Sequence, residues 1–393
     1  MKTDNISKQR SDRVWLTPDM CDLSDFKREI ARTTKPEDYP FASEIVSNVP
    51  VYDGDAVRKA AADPETRKAL MAEWAEVFLN GPGIVLFKKA FAETAPVDAA
   101  TEIFFEMIAE EKAAGAGAGD HFAKPGANDR IWNALEKLAL RNPDVFANYY
   151  ANEIIAMVSE SWLGPCYQVT SQVNVVNPSG EAQSVHRDYH MGFQTAKEIE
   201  RFPAHAHRLS PVLTLQGAIA HVDMPVESGP TLYLPYSQGF GPGFFAWRKP
   251  EFKGFFNSNY IQLPLAKGDA AFLNPALFHA AGTNRTKDIR RMANLLQVSS
   301  AYGRTMEAMD RASMSKSLYP VLAATKLNEQ AIENVVAACA EGYAFPTNLD
   351  RDPPIGGLAP QTQAQLMLKA LAEKWDSSRF NEALDGHSER RLT

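Results

Sequence analysis

The sequence predicts an α+β protein with a mainly β core, a sandwich or barrel enclosed by helical segments. Beyond Gly164-Pro165 the apolar period changes from 3.6 residues to 2, and after about residue 304 it returns to helical spacing. Hydrophobic residues make up 45% of the 393 positions and charged residues 23%, enough apolar material for a sizeable core.

Residues 1–62 mix charges, prolines and short apolar pieces without a sustained period, and are expected to form an irregular N-terminal arm. Asp63-Pro64 then opens a helix in which Leu70, Trp74, Val77 and Phe78 share a face, and Asn80-Gly81-Pro82-Gly83 ends it. Ile84 to Phe87 follows as a short buried strand. A second helix over 96–112 turns Ile103, Phe104, Met107 and Ile108 inward, and runs into a Gly/Ala loop from Ala113 to Asp120. Those alternating glycines follow a helix and lack the GK[ST] ending of a phosphate loop, so a connector is expected there. Helical spacing resumes over 143–163.

Strands are expected at Tyr167–Val176, Ser184–Tyr189, Val212–Val222, Thr231–Leu234, Ala270–Asn274 and Arg291–Ser299, with Gly, Pro, Asn or Asp punctuation between most of them. Many short strands with turn signals describe a sandwich or barrel. In the tail, Ile332, Val335, Val336 and Cys339 share a helical face. A Pro/Gly linker from Pro353 to Pro360 precedes helically spaced Leu368, Leu371 and Trp375. The expected organisation is therefore an arm (1–62), a catalytic β-rich domain (63–304) and a helical extension (305–393). The extension would pack on the barrel or on a second copy in a homo-oligomer.

A net charge of −7 removes the electrostatic footprint of a nucleic-acid or anionic-membrane binder, leaving a small molecule as the expected partner. Cys21, Cys166 and Cys339 lie far apart without paired spacing, which argues against a disulfide framework and for a reducing compartment. No apolar run approaches the roughly 20 residues needed to span a bilayer. A cytoplasmic location is expected.

Val185-His186-Arg187-Asp188-Tyr189 carries the strongest chemical signal. Strand alternation puts His186 and Asp188 on one face with Arg187 pointing away. An imidazole and a carboxylate supply two-thirds of the facial triad that holds Fe(II) and leaves adjacent positions open. The tripeptide alone is weak, since His221-Val222-Asp223 repeats it. Asp223 there runs into Met224-Pro225 and suits a turn-capping role, while His205 and His207 have no acidic partner at short spacing. Weight comes from a distant element, Asn274-Pro275-Ala276-Leu277-Phe278-His279 followed by a Gly/Asn turn and Arg290-Arg291. A histidine at a strand end with an arginine eleven positions on places a guanidinium beside the metal, suited to a dicarboxylate.

On these residues the chain resembles the phytanoyl-CoA dioxygenase family of Fe(II)/2-oxoglutarate oxygenases, over about residues 78–305. The matching pieces are Gly83 to Phe87, His186-Arg187-Asp188, Glu227-Ser228-Gly229-Pro230 running into Leu234-Pro235, and His279 with Gly282-Thr283-Asn284-Arg285-Thr286 and Arg290. The resemblance implies a double-stranded β-helix, the cupin-like jelly roll. It implies iron ligands His186, Asp188 and His279, Arg290 as anchor of the 2-oxoglutarate co-substrate, and O2 as oxidant. The chain departs from the family at Pro235-Tyr236-Ser237-Gln238 and Ala280-Ala281, so Gln172, Asn174 and Thr231 enter as co-substrate contacts only through their polar side chains on barrel strands.

The implied reaction is hydroxylation or desaturation of an unactivated C–H bond with release of succinate and CO2. Related halogenases lack a carboxylate at the position of Asp188. Residues 236–260, dense in aromatics, suggest a lid, and Met191 to Ser210 a second border of the mouth. The family's substrates range from acyl-CoA esters to small polar metabolites, and nothing in the sequence chooses among them. A jelly-roll metal protein that does not use 2-oxoglutarate, or a non-catalytic binding protein on the same fold, stays open at this point.

Overall fold

The computed structural model describes residues 10–11, 13–115, 126–181 and 183–393; the glycine loop expected after the second helix lies mostly outside them. Eleven strands form among the described residues: β1 Glu44–Val46, β2 Val49–Asp53, β3 Ile84–Lys88, β4 Asn128–Ile131, β5 Gln168–Val176, β6 Thr214–Ala220, β7 Leu232–Leu234, β8 Ile261–Gln262, β9 Ala270–Leu273, β10 Phe278–Ala280 and β11 Arg291–Ser299. Eight of them make one sheet in the order β1-β2-β3-β9-β6-β11-β5-β4, and β10-β7-β8 make a smaller one. This is the mixed α+β jelly roll that the sequence led us to expect.

Alternation along the strands sorts the residues into two layers. On β5 and β11, Val169, Val173, Val175, Met292, Leu296 and Val298 face outward into a large core shared with the flanking helices. Ala220, Ala293, Leu273, Ile84 and Leu86 face the interior, where Tyr233 and Leu277 from the other side meet them. The helix Pro64–Leu79 starts as expected, Asp63 accepting from Thr66 N at 2.9 Å, and buries Leu70, Trp74, Val77 and Phe78. The expected single helix over 143–163 is two, Pro143–Tyr150 and Glu153–Leu163. Asn152 breaks them by capping the second through its side chain.

The arm proves more ordered than its composition suggested. Phe26, on the helix Leu23–Ile30, is wholly buried, and β1 and β2 extend the large sheet, β2 running parallel to β3. Pro50 hid this strand, because proline within a short apolar run argues against a central strand. Pairing with β3 begins one residue later, at Val51 opposite Leu86, so the missing N–H costs no bond there. Beyond β11 the helices Arg311–Ala324, Glu329–Cys339, Gln363–Ala372 and Ser377–Arg391 join the outer core through Met314, Leu318, Tyr319, Val336, Met367 and Phe380. Among the described residues no helix is long and apolar enough to cross a membrane.

Candidate metal centre

His186 and His279 face each other across a single antiparallel bridge, His186 N donating to His279 O at 3.0 Å and His279 N returning to His186 O at 3.2 Å. The expected strand over 184–189 is thus an extended segment held by one bridge. It turns away at Tyr189 and His190, whose φ values of 62° and 44° end the extended backbone. Asp188 N is anchored on Pro275 O at 2.9 Å. The alternation argument nevertheless holds for the side chains: His186, Asp188 and His279 offer ligand atoms that all lie within 4.8 Å of one another.

Each imidazole is fixed from behind. His186 Nδ1 meets Ser184 O at 2.9 Å, and His279 Nδ1 meets Leu277 O at 2.8 Å. A carbonyl only accepts, so both Nδ1 atoms carry the hydrogen and both Nε2 atoms present a lone pair. Those lone pairs face the Asp188 carboxylate at 3.6 Å (His186) and 3.2 Å (His279). Lone pairs converging in this way repel unless a cation or a proton lies among them, which is the donor set a divalent metal requires. Burial works against the charge on Asp188, yet the two imidazoles hold its carboxyl well below the usual range. Burial likewise pulls His186 down, and the Asp188 carboxylate more than offsets it, raising His186 overall.

Gln216, which supports the centre, was not singled out from the sequence, whereas Arg187 was expected to point away from the ligand face. Gln216 on β6 donates from Nε2 to Asp188 Oδ2 at 2.7 Å, and Arg187 is buried on the opposite side of the ligand segment. The Arg187 guanidinium donates to the carbonyls of Ser237, Gln238 and Phe240 and lies over the rings of Phe244 and Phe278. The aromatic segment expected as a lid is thereby a packed layer, with Phe240 and Phe252 buried against Phe26. Gln216 was hidden because a glutamine on a strand looks like any polar strand residue; only the register reveals which ligand it meets.

Arg290 requires a correction. It precedes β11 and turns to the outer face, where it bonds Asp129 Oδ2 at 3.2 Å and lies over the Phe105 ring. Arg291, one position on, points inward: it pairs with Val176 in the register that brings Ala293 opposite Asn174. Counting positions after His279 located the turn but not the face, and in a strand a shift of one residue reverses the face. Arg291 is buried, donates to Gly282 O at 3.3 Å, and has no carboxylate partner among the described residues. Burial lowers its guanidinium to about 10, with the Tyr233 phenol nearby.

Of the remaining expected contacts, Gln172 and Asn174 share that interior face. Gln172 Oε1 accepts from Arg130 at 3.0 Å, whereas Asn174 Oδ1 is buried without a partner among the described residues. Thr231 precedes β7, whose Tyr233 lies opposite His279 in the β7–β10 register. The rival motif is dispersed: His221 is buried between Thr101 and Tyr149, and Asp223 accepts from Lys267 N at 2.9 Å, as a turn-capping carboxylate does. His207 packs against the Phe245 ring. On β11 the interior residues Ala293 and Leu295 are only half-buried between fully buried neighbours, so open space lies over this face beside the three ligands.

Residues 52–292, more than half of the chain, match the family model described as phytanoyl-CoA dioxygenase (PhyH). A comparison with curated proteins finds no match. Similar solved structures include the non-haem α-ketoglutarate-dependent epimerase SnoN from nogalamycin biosynthesis, at 20% identity and a TM-score of 0.43 over 63% of this chain and 86% of that one. The carbocyclase SnoK from the same biosynthesis is 20% identical, with a TM-score of 0.39 over 58% and 83%.

Proposed function

The chain belongs to the phytanoyl-CoA dioxygenase family of iron(II)- and 2-oxoglutarate-dependent oxygenases, and from that membership we propose that it hydroxylates or desaturates an unactivated C–H bond of a small molecule. The convergence of His186, Asp188 and His279, with both imidazoles fixed in the metal-binding tautomer, carries the proposal. Iron(II) with 2-oxoglutarate and O2 supplies the oxidising power, succinate and CO2 being the by-products.

The protein's part is to place and enclose. His186, Asp188 and His279 would hold the metal on one side and leave the face toward β11 open. We assign the far carboxylate of 2-oxoglutarate to Arg291, supported by its burial, its inward register and its lack of a carboxylate partner among the described residues. An arginine buried without a counter-ion is unfavourable unless an anion is to be received. Tyr233, whose phenol acts on the Arg291 guanidinium, and Thr231 two positions before it would add hydroxyls suited to the same carboxylate. Gln172 and Asn174 belong to the wall of the same chamber. Asp188 keeps a carboxylate where halide chemistry needs a vacancy, which favours hydroxylation or desaturation over halogenation.

Anaerobic iron(II) protein titrated with 2-oxoglutarate is expected to develop the weak visible charge-transfer band of the chelate. Iron bound without that band would reject the proposal in favour of a metal protein that does not use 2-oxoglutarate.

A further inference from the structure

Glu307 lies in the segment between β11 and the helix Arg311–Ala324, beyond the residues matched to the family. Its carboxylate nevertheless reaches the interior side of the barrel. Oε1 accepts from Asn133 N at 2.8 Å and from Gln172 Nε2 at 3.4 Å. The same Gln172 Nε2 lies 3.4 Å from Gln297 Oε1. Gln297 stands directly opposite Gln216 in the β11–β6 register, and Gln216 holds Asp188. A continuous polar row thus runs from Glu307 along the chamber wall to the metal ligand.

Three atoms in and beside this row are buried and lack partners among the described residues: Glu307 Oε2, Gln216 Oε1 and the hydroxyl of Tyr189. Tyr189 follows Asp188 directly in the chain, and its side chain is buried. Two of the three atoms only accept hydrogen bonds, and no described cation forms a salt bridge with Glu307. Buried acceptors of this kind require a donor from water or from a ligand. An anionic group at these atoms would meet acceptor oxygens, the Arg130 guanidinium that acts on Glu307 being engaged by Gln172 Oε1 at 3.0 Å; a hydroxyl or ammonium group would satisfy them.

We propose that Glu307, with Gln216 and Tyr189, forms a substrate-recognition subsite beside the metal that takes a hydrogen-bond donor, an alcohol or an amine, and discriminates against carboxylates. The inference rests on the oxygenase reading of the same chamber. It names a specificity-determining carboxylate and narrows the substrate class to molecules that bring a hydroxyl or amino group close to the reacting carbon.

The test uses the full chain loaded with Zn(II) and 2-oxoglutarate and three matched probes: cyclohexylamine, cyclohexanol and cyclohexanecarboxylate. Binding is read by saturation-transfer NMR. The amine and the alcohol are expected to bind and the carboxylate to fail. Glu307→Ala should weaken both binders about tenfold, and Glu307→Gln should weaken the amine while sparing the alcohol, because the amide keeps an acceptor but loses the charge. Alcohol retained with amine lost would identify the hydroxyl as the preferred donor in neutral variants and the charge as the recognition element for amines. Equal binding of the carboxylate, no binding by any probe, or unchanged binding in Glu307→Ala would overturn the proposal. The charge-transfer titration with iron(II) keeps the two readings separate: if the band forms in both the wild type and Glu307→Ala, the failure belongs to the subsite alone.

Discussion

Gln216 Nε2 lies 2.7 Å from Asp188 Oδ2, and this bond from the large sheet orients the only carboxylate of the trio that could hold a metal. Without it Asp188 is free to rotate about its side-chain torsions, and the two imidazoles would converge on a mobile third ligand. Gln216→Leu, which keeps the volume and removes the donor, is expected to weaken iron(II) binding about tenfold or more while leaving the fold intact, in line with the loss of a hydrogen bond to a metal ligand. A competition titration against a chelator measures it. Wild-type affinity in this variant would show that Asp188 needs no support from β6.

Arg290 and Arg291 make an internal control, because neighbouring arginines face opposite sides of the same strand edge. Arg291→Met is expected to raise the KM for 2-oxoglutarate about 100-fold, the order of ~3 kcal/mol for a charged pair lost from a buried site. Arg290→Met should change it less than about twofold, since Arg290 is half-exposed and its partner Asp129 keeps Lys112 at 2.6 Å. Steady-state succinate release across 2-oxoglutarate concentrations separates the two. The reverse ranking would restore Arg290 as the anchor.

The error over Arg290 shows what a sequence carries and what it does not. His186, Asp188 and His279 were legible because their chemistry is rare and alternation is local: it needs only that residues 186 and 188 share a face. The face of an arginine after a turn depends on where pairing resumes, and here β11 begins at Arg291, opposite Val176. Gln216 and Glu307 could not be read at all, as their roles arise from register and from a segment folding back over β5. β5, β6, β7, β9 and β11 were legible from period 2, while β4 and β8 were not anticipated and Val49–Asp53 was obscured by Pro50 and by parallel pairing to a strand far along the chain. The aromatic run was visible, but whether it moves or packs turned on Arg187, whose buried guanidinium no periodicity announces.

His221 has a separate consequence for acid stability. Burial between Thr101 and Tyr149 lowers its imidazole from 6.5 to about 3. Between those two values the unfolded chain binds a proton that the folded chain refuses, so stability rises with pH and is lost as pH falls from 6.5 toward 3. The slope from this one group is at most about 1.4 kcal/mol per pH unit. His221→Gln, which keeps polar atoms for both neighbours and cannot titrate, is expected to show a shallower loss between pH 6.5 and 4.5 in urea unfolding. Identical slopes in the two proteins would assign the acid sensitivity to the carboxylates instead.

Arg187 and Gly243 are coupled by contact. Arg187 Nη2 reaches Ser237 O at 2.5 Å and Phe240 O at 3.1 Å, and burial lowers the guanidinium to about 9. A Cβ on Gly243 would lie 1.9 Å from Arg187 Cζ, so only glycine lets the backbone of 243–246 close over that group. Arg187→Met leaves those carbonyls without their donor and should cost about 3 kcal/mol, at ~1–3 kcal/mol for each buried group deprived of its partner. Gly243→Ala should cost a similar amount by forcing the guanidinium aside. In the double variant the flexible methionine yields to the new methyl group, so its destabilisation should fall short of the sum of the single effects by about 1 kcal/mol or more. Urea unfolding of the four proteins closes the cycle. Strictly additive losses would mean that the aromatic layer is held to the metal-binding segment by packing elsewhere, and that the space at Gly243 is not reserved for Arg187.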